Sequence, residues 1–164
     1  MNAGRVVLLI AALAALLSAA GCGSSSGDEV TVETGSLSKA AFIKKADTIC
    51  QAARTELIAK FFDYLKTHKE LAGREDVNAQ RAVATQTVNL ILVPNVEGEI
   101  EQISGLGAPD DYASEVEVFL NALQERLDKV HENPALASAT AAPFKQASDT
   151  AKKAGMIGCA ESFG

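Results

Sequence analysis

PDDYASEVEVFLNALQERLDKV, residues 109–130, decides the fold. Apolar side chains recur at Tyr112, Val116, Phe119, Leu120, Leu123, Leu127 and Val130. Steps of three and four place them on one face of an α-helix. Pro109 suits a first helical position, where its missing N–H is no loss, and Asp110, Asp111 and Glu115 favour the positive end of the helix dipole. Asn133-Pro134 ends the run, because the residue before a proline is pushed out of helical geometry. A helix with one apolar face must bury it against other elements, and the flanking sequence supplies them.

Upstream, helix one is predicted from an N-cap at Ser38. Its stripe is Phe42, Ala46, Ile49, Ala53, Leu57, Phe61 and Tyr64 or Leu65, and it ends between His68 and Leu71, before Gly73. Lys44, Lys45, Asp47, Arg54, Glu56 and Asp63 take the wet face. Helix two begins near Glu75-Asp76 and carries Val77, Ala84, Val88, Ile91 or Leu92, Val96, Ile100 and Ile103. Pro94 interrupts it, and because the apolar period survives the proline, a kink within one helix is expected. Gly105 is its expected C-cap. Downstream of residue 134, helix four is alanine-rich, with Leu136, Ala139, Phe144, Ala147, Ala151 and Ala154 on one side. Pro143 splits off a short first turn and Gly155 caps the end.

Four such helices with short connections predict an all-α, up-down four-helix bundle with a kinked second helix. Residues 38–164 form that helical domain. Cys50 lies about 18 Å from Ser38 along helix one at 1.5 Å per residue. Cys159 lies four residues past Gly155, a reach of about 14 Å in extended chain. A tail folding back along helix one brings the two together, so one disulfide, Cys50 to Cys159, is expected.

The pairing presumes export, and the N-terminus argues for it. Arg5 is followed by an unbroken apolar run, Val6 to Leu17, and then by the small residues Ser18 to Gly21. Charged start, apolar middle and small-residue exit are the parts of a secretory signal peptide, here residues 1–21. The run is shorter than the roughly 20 residues a membrane span needs. Ala19-Ala20-Gly21-Cys22 resembles the lipobox of bacterial lipoproteins, with Ala19 where a branched aliphatic residue is commoner. The resemblance implies a diacylglycerol on the Cys22 thiol, cleavage just before it, and a protein held on the extracytoplasmic face of the cell membrane. Ordinary cleavage after Ala20 is the other reading and leaves Cys22 a free thiol. Residues 22–37 read as a lipidated linker. It is Gly- and Ser-rich, then acidic, so a disordered tether is expected, with Val30-Thr31-Val32 extended and unpaired. Two acyl chains hold a protein stably where one holds it marginally. Loss of Arg5 leaves 14 basic residues against 21 acidic ones, a balance that anionic head groups repel. The same balance argues against nucleic acid as a partner.

Catalytic patterns are missing from the sequence. No serine lies in a Gly-x-Ser-x-Gly elbow, and the carboxylates alternate with Lys and Arg as solvated surface does. His68 and His131 are the candidate metal ligands. In a bundle of this topology both lie in last turns at one end, where a histidine also favours a helix C-terminus as a cation. The Pro94 kink either curves helix two around the core or opens a groove between helices two and three, a candidate site for a peptide or an apolar ligand. The sequence therefore predicts a membrane-anchored binding or scaffolding domain without enzymatic activity or cofactor, and an envelope protein as partner. A small-ligand or metal-binding module is the alternative.

Overall fold

A computed structural model describes residues 30–32, 34–68, 76–138 and 144–164. The signal stretch and Cys22 lie outside the described residues, as do the Gly73 region and the Ala139–Pro143 part of helix four.

Helix α1 (Lys39–Thr67) starts where Ser38 places it, the hydroxyl accepting a hydrogen bond from the Ala41 N–H. That bond satisfies one of the donors left over in a first helical turn. Phe42, Ala46, Cys50 and Ala53 are buried. Beyond Ala53 the predicted core stripe fails: Leu57, Tyr64 and Leu65 are half-buried and Phe61 is exposed. The cause lies in the opposing helix. Its first segment, α2 (Val77–Thr87), buries no residue, so among the described residues this half of α1 is only partly covered.

The interruption expected at Pro94 takes the form of a π-helical turn, Val88–Leu92, between α2 and α3 (Val93–Ser104). The Val93 N–H reaches back five residues to the Val88 carbonyl. A proline ring clashes with the carbonyl four residues earlier, and a wider turn relieves that clash without ending the helix. The stripe holds from Val88 onward, with Ile91, Val96, Ile100 and Ile103 buried, whereas Val77 is exposed. Gly105 caps α3 through its N–H to the Glu101 carbonyl.

Helix α4 (Ala113–Glu132) begins later than Pro109. Pro109 to Tyr112 form a turn instead, closed by the Tyr112 N–H on the Pro109 carbonyl at 2.9 Å. Tyr112 sets this geometry. It is fully buried, meets Phe42 edge to face at 5.8 Å between centroids, and donates its hydroxyl to the Ala154 carbonyl at 2.6 Å. All seven apolar positions read from the 109–130 stretch are buried.

Predicted helix four divides into a 3-10 turn (Pro134–Ser138) and α5 (Lys145–Ala154). Gly155, at φ 85°, ends α5. Its N–H bonds the Lys152 carbonyl and the Met156 N–H bonds the Ala151 carbonyl, the Schellman pattern that left-handed glycine permits. The expected tail is itself a helix, α6 (Ile157–Phe163).

Cross-contacts fix an up-down order. Tyr64 bonds Gln86 and Asn95 bonds the Ala53 carbonyl, so α1 and the α2–α3 helix are antiparallel. Tyr112 at the start of α4 meets Ala154 at the end of α5. Helix α6 then turns back alongside α1, where Cys50 and Cys159 are joined with their Cα atoms 5.0 Å apart.

One stretch read as free linker is docked. The Val30 N–H donates to Asn121 Oδ1 at 2.8 Å, Val32 is buried, and Thr34 pairs in parallel with Ala108. The Gly35 N–H adds a bond to the Ala108 carbonyl. Gly35 and Gly107 make this approach possible: a Cβ on Gly35 would lie 2.7 Å from the Gly107 carbonyl oxygen, and Gly107 has φ 71°. Val30 to Val32 forms no regular element, and the stretch is held because two glycine backbones meet beside it without side chains between them.

Candidate functional site

The partly covered half of α1 and the α2 helix enclose a groove of about 780 Å³. Ile58, Phe61 and Phe62 form one wall, Val83, Ala84 and Ile91 the other. Thr87 supplies a polar point, since its Oγ1 is buried with no hydrogen-bond partner among the described residues. The groove lies between α1 and the helix containing Pro94, not between the second and third predicted helices. The π turn does form part of its floor through Val88, Ile91 and Leu92.

Leu57, Leu92 and Ala137 also line a second, smaller pocket of about 300 Å³, so the two adjoin. The small pocket is different in chemistry. Arg54, Asn95, Glu99 and Ser162 line it, together with Cys50 of the disulfide. Glu99 is 3 % exposed and its Oε1 has no hydrogen-bond partner among the described residues. Burial pushes its carboxyl up to about 8, because an ionised carboxylate is poorly solvated there. Asn95, also buried, donates its amide to the Ala53 carbonyl at 3.2 Å. Arg54 is exposed and donates to the Glu161 carbonyl.

The disulfide predicted from Cys50 and Cys159 is present. Both sulfurs and a Glu99 carboxyl oxygen lie within 4.8 Å of one another. These are metal-ligand types, yet sulfurs bonded to each other are not thiolates, and the carboxyl alone does not make a metal site. The candidate ligands His68 and His131 stand apart from this group. His68 caps α1, with its N–H on the Tyr64 carbonyl and its ring 4.4 Å from the Tyr64 ring between centroids. His131 is exposed in the last turn of α4.

Glu99 and Asn95 escaped the sequence reading, which assigned carboxylates to wet faces. Their spacing carries the signal: Val88, Ile91, Asn95, Glu99 and Ile103 step by three, four, four and four along one helix face. Among the described residues no helix is long and apolar enough to cross a membrane. No protein-family model, curated protein or solved structure matches the chain. The class that fold and site define is a disulfide-stapled helical bundle with an apolar groove opening beside a buried carboxyl.

Proposed function

We propose that this chain is a lipid-anchored, extracytoplasmic binding module that takes a small apolar ligand in the groove between α1 and α2 and does no chemistry on it. The groove carries the reading. Its volume of about 780 Å³ falls within the roughly 300–1,000 Å³ typical of ligand pockets, and its walls are apolar with few polar points. Exposed Ile58, Phe61 and Phe62 keep apolar surface in water that a ligand would cover. The anchor half of the reading rests on Ala19-Ala20-Gly21-Cys22 and on the disulfide, which belongs to an oxidising compartment.

Fluorescence of N-phenyl-1-naphthylamine, which brightens in apolar sites, tests the groove. Saturable enhancement with the native chain is expected, and its loss in Ala84→Trp, whose indole fills the groove, with the thermal transition retained. A native chain that gives no saturable signal overturns the reading.

A further inference from the structure

We propose that the groove and the small pocket form one site for a single-chain aliphatic amine, its tail in the groove and its amino head hydrogen-bonded to Glu99. The inference rests on the groove reading above and adds the head group.

Three observations carry it. Leu57, Leu92 and Ala137 line both cavities, so these three side chains are what stands between them, and a chain lying in the groove reaches the pocket by displacing them. Glu99 lines the pocket, and its Oε1 is buried without a hydrogen-bond partner among the described residues. Such an atom lacks the bonds it had in water, and a donor brought by a ligand restores them. Asn95 Oδ1 is a second acceptor type on the same wall.

The chemistry selects an amine over other heads. An ammonium makes a charge-assisted bond to a carboxylate, roughly twice as strong as a bond between neutral groups. A carboxylate head could accept one hydrogen bond from the protonated Glu99, but it would bring its own charge into the pocket with no cation aimed at it. A divalent metal would find one carboxyl and two sulfurs already bonded together. Arg54 is the charged side chain lining the pocket with Glu99, and it is exposed and turned to the Glu161 carbonyl. Helix α6, the π turn and the 3-10 turn present Ser162, Phe163, Leu92 and Ala137, which carry no charge, and Gly164 at the end of α6 adds a main-chain carboxylate, a second anion that an ammonium can meet. With its carboxyl pushed up to about 8, Glu99 is protonated at pH 7 in the empty site. An arriving alkylammonium keeps its own proton, and the Glu99 proton leaves to solvent as the ion pair forms.

Displacement of N-phenyl-1-naphthylamine by dodecylamine, 1-dodecanol and dodecanoate tests this on the oxidised chain. Dodecylamine should displace the dye at least tenfold more effectively than the other two. Glu99→Gln, nearly equal in shape, should bring the amine to within about twofold of the alcohol and leave the alcohol unchanged. Calorimetry of the native chain at pH 7 in two buffers of different ionisation enthalpy should read release of close to one proton per amine bound. An alcohol that matches the amine, or an amine insensitive to Glu99→Gln, overturns the head-group assignment and leaves the groove standing. Failure of the dye itself to bind removes the groove and the amine site together.

Discussion

Gly158 of α6 lies so close to Asp47 of α1 that a Cβ on it would fall 2.8 Å from the Asp47 Cβ. The next residue, Cys159, donates its N–H to the Asp47 carboxylate at 3.0 Å. Backbone therefore meets side chain here with no room between, and this contact seats Cys159 against Cys50. Gly158→Ala should destabilise the fold by about 1–3 kcal/mol through overpacking, offset in part by alanine's better helix propensity. Thermal melting of the oxidised variant checks it. A transition at or above that of the native chain would show that α6 shifts freely and that the fit does not matter.

The disulfide closes a loop with a sequence separation of 109. In the chain-entropy account a loop of about 100 residues is worth up to about 4.7 kcal/mol. At this chain length each kcal/mol moves the midpoint by roughly 4 °C. Cys50→Ala with Cys159→Ala, or the native chain in a phosphine reductant, should melt well below the oxidised protein. Equal midpoints would strip the cross-link of its structural role.

Glu99 should make stability fall as pH rises. Its carboxyl titrates near 4.5 when unfolded and at about 8 in the fold. Between those values the folded state keeps a proton that the unfolded state gives up. The stabilisation is whole below pH 4.5 and drains away by about pH 8, a change on the order of 5 kcal/mol. Glu99→Gln removes this slope. Denaturant unfolding of both chains at pH 5, 6, 7 and 8 measures the difference, and parallel curves would place the carboxyl in contact with water.

Removing the Tyr112 hydroxyl isolates one buried bond. Tyr112→Phe leaves the Ala154 carbonyl without its 2.6 Å donor while keeping the ring against Phe42. A loss of about 1–2 kcal/mol is expected from equilibrium unfolding. No loss would mean that water replaces the hydroxyl.

For the N-terminus, the intact mass of the protein from its native membrane should show a diacylglycerol on Cys22 and no residues before it. Cys22→Ala should leave the protein unprocessed and without the acyl mass. A native product with a free Cys22 thiol sinks the anchor.

How much of this the sequence held depends on what each residue faces. Tyr112 to Val130 was readable because the apolar face of α4 is covered along its whole length while the other face is wet, so burial and periodicity coincide. Leu57 and Phe61 have the same periodicity and only partial cover, and a pattern in one helix does not reveal how closely its neighbour packs. Glu99 occupies an apolar-face position with a polar side chain, which composition alone assigns to water. Val30 and Val32 dock through Gly35 and Gly107, a meeting of backbones more than 70 positions apart that no local rule registers. The Schellman turn at Gly155, by contrast, is local chemistry and was readable from Lys152-Lys153-Ala154-Gly155.

The docked segment also carries a direction. Val30 touches α4 halfway along, at Asn121, and Thr34 reaches Ala108 below its start. From Thr34 back to Val30 the chain therefore runs from the start of α4 toward its middle. From Asn121 to Glu132 is about 16 Å of helix, and the eight residues back to Cys22 span up to about 28 Å. Were Cys22 to carry the lipid, the molecule would be able to hang mouth-down, its greasy rim facing the leaflet that holds it, and loading would need no passage through water.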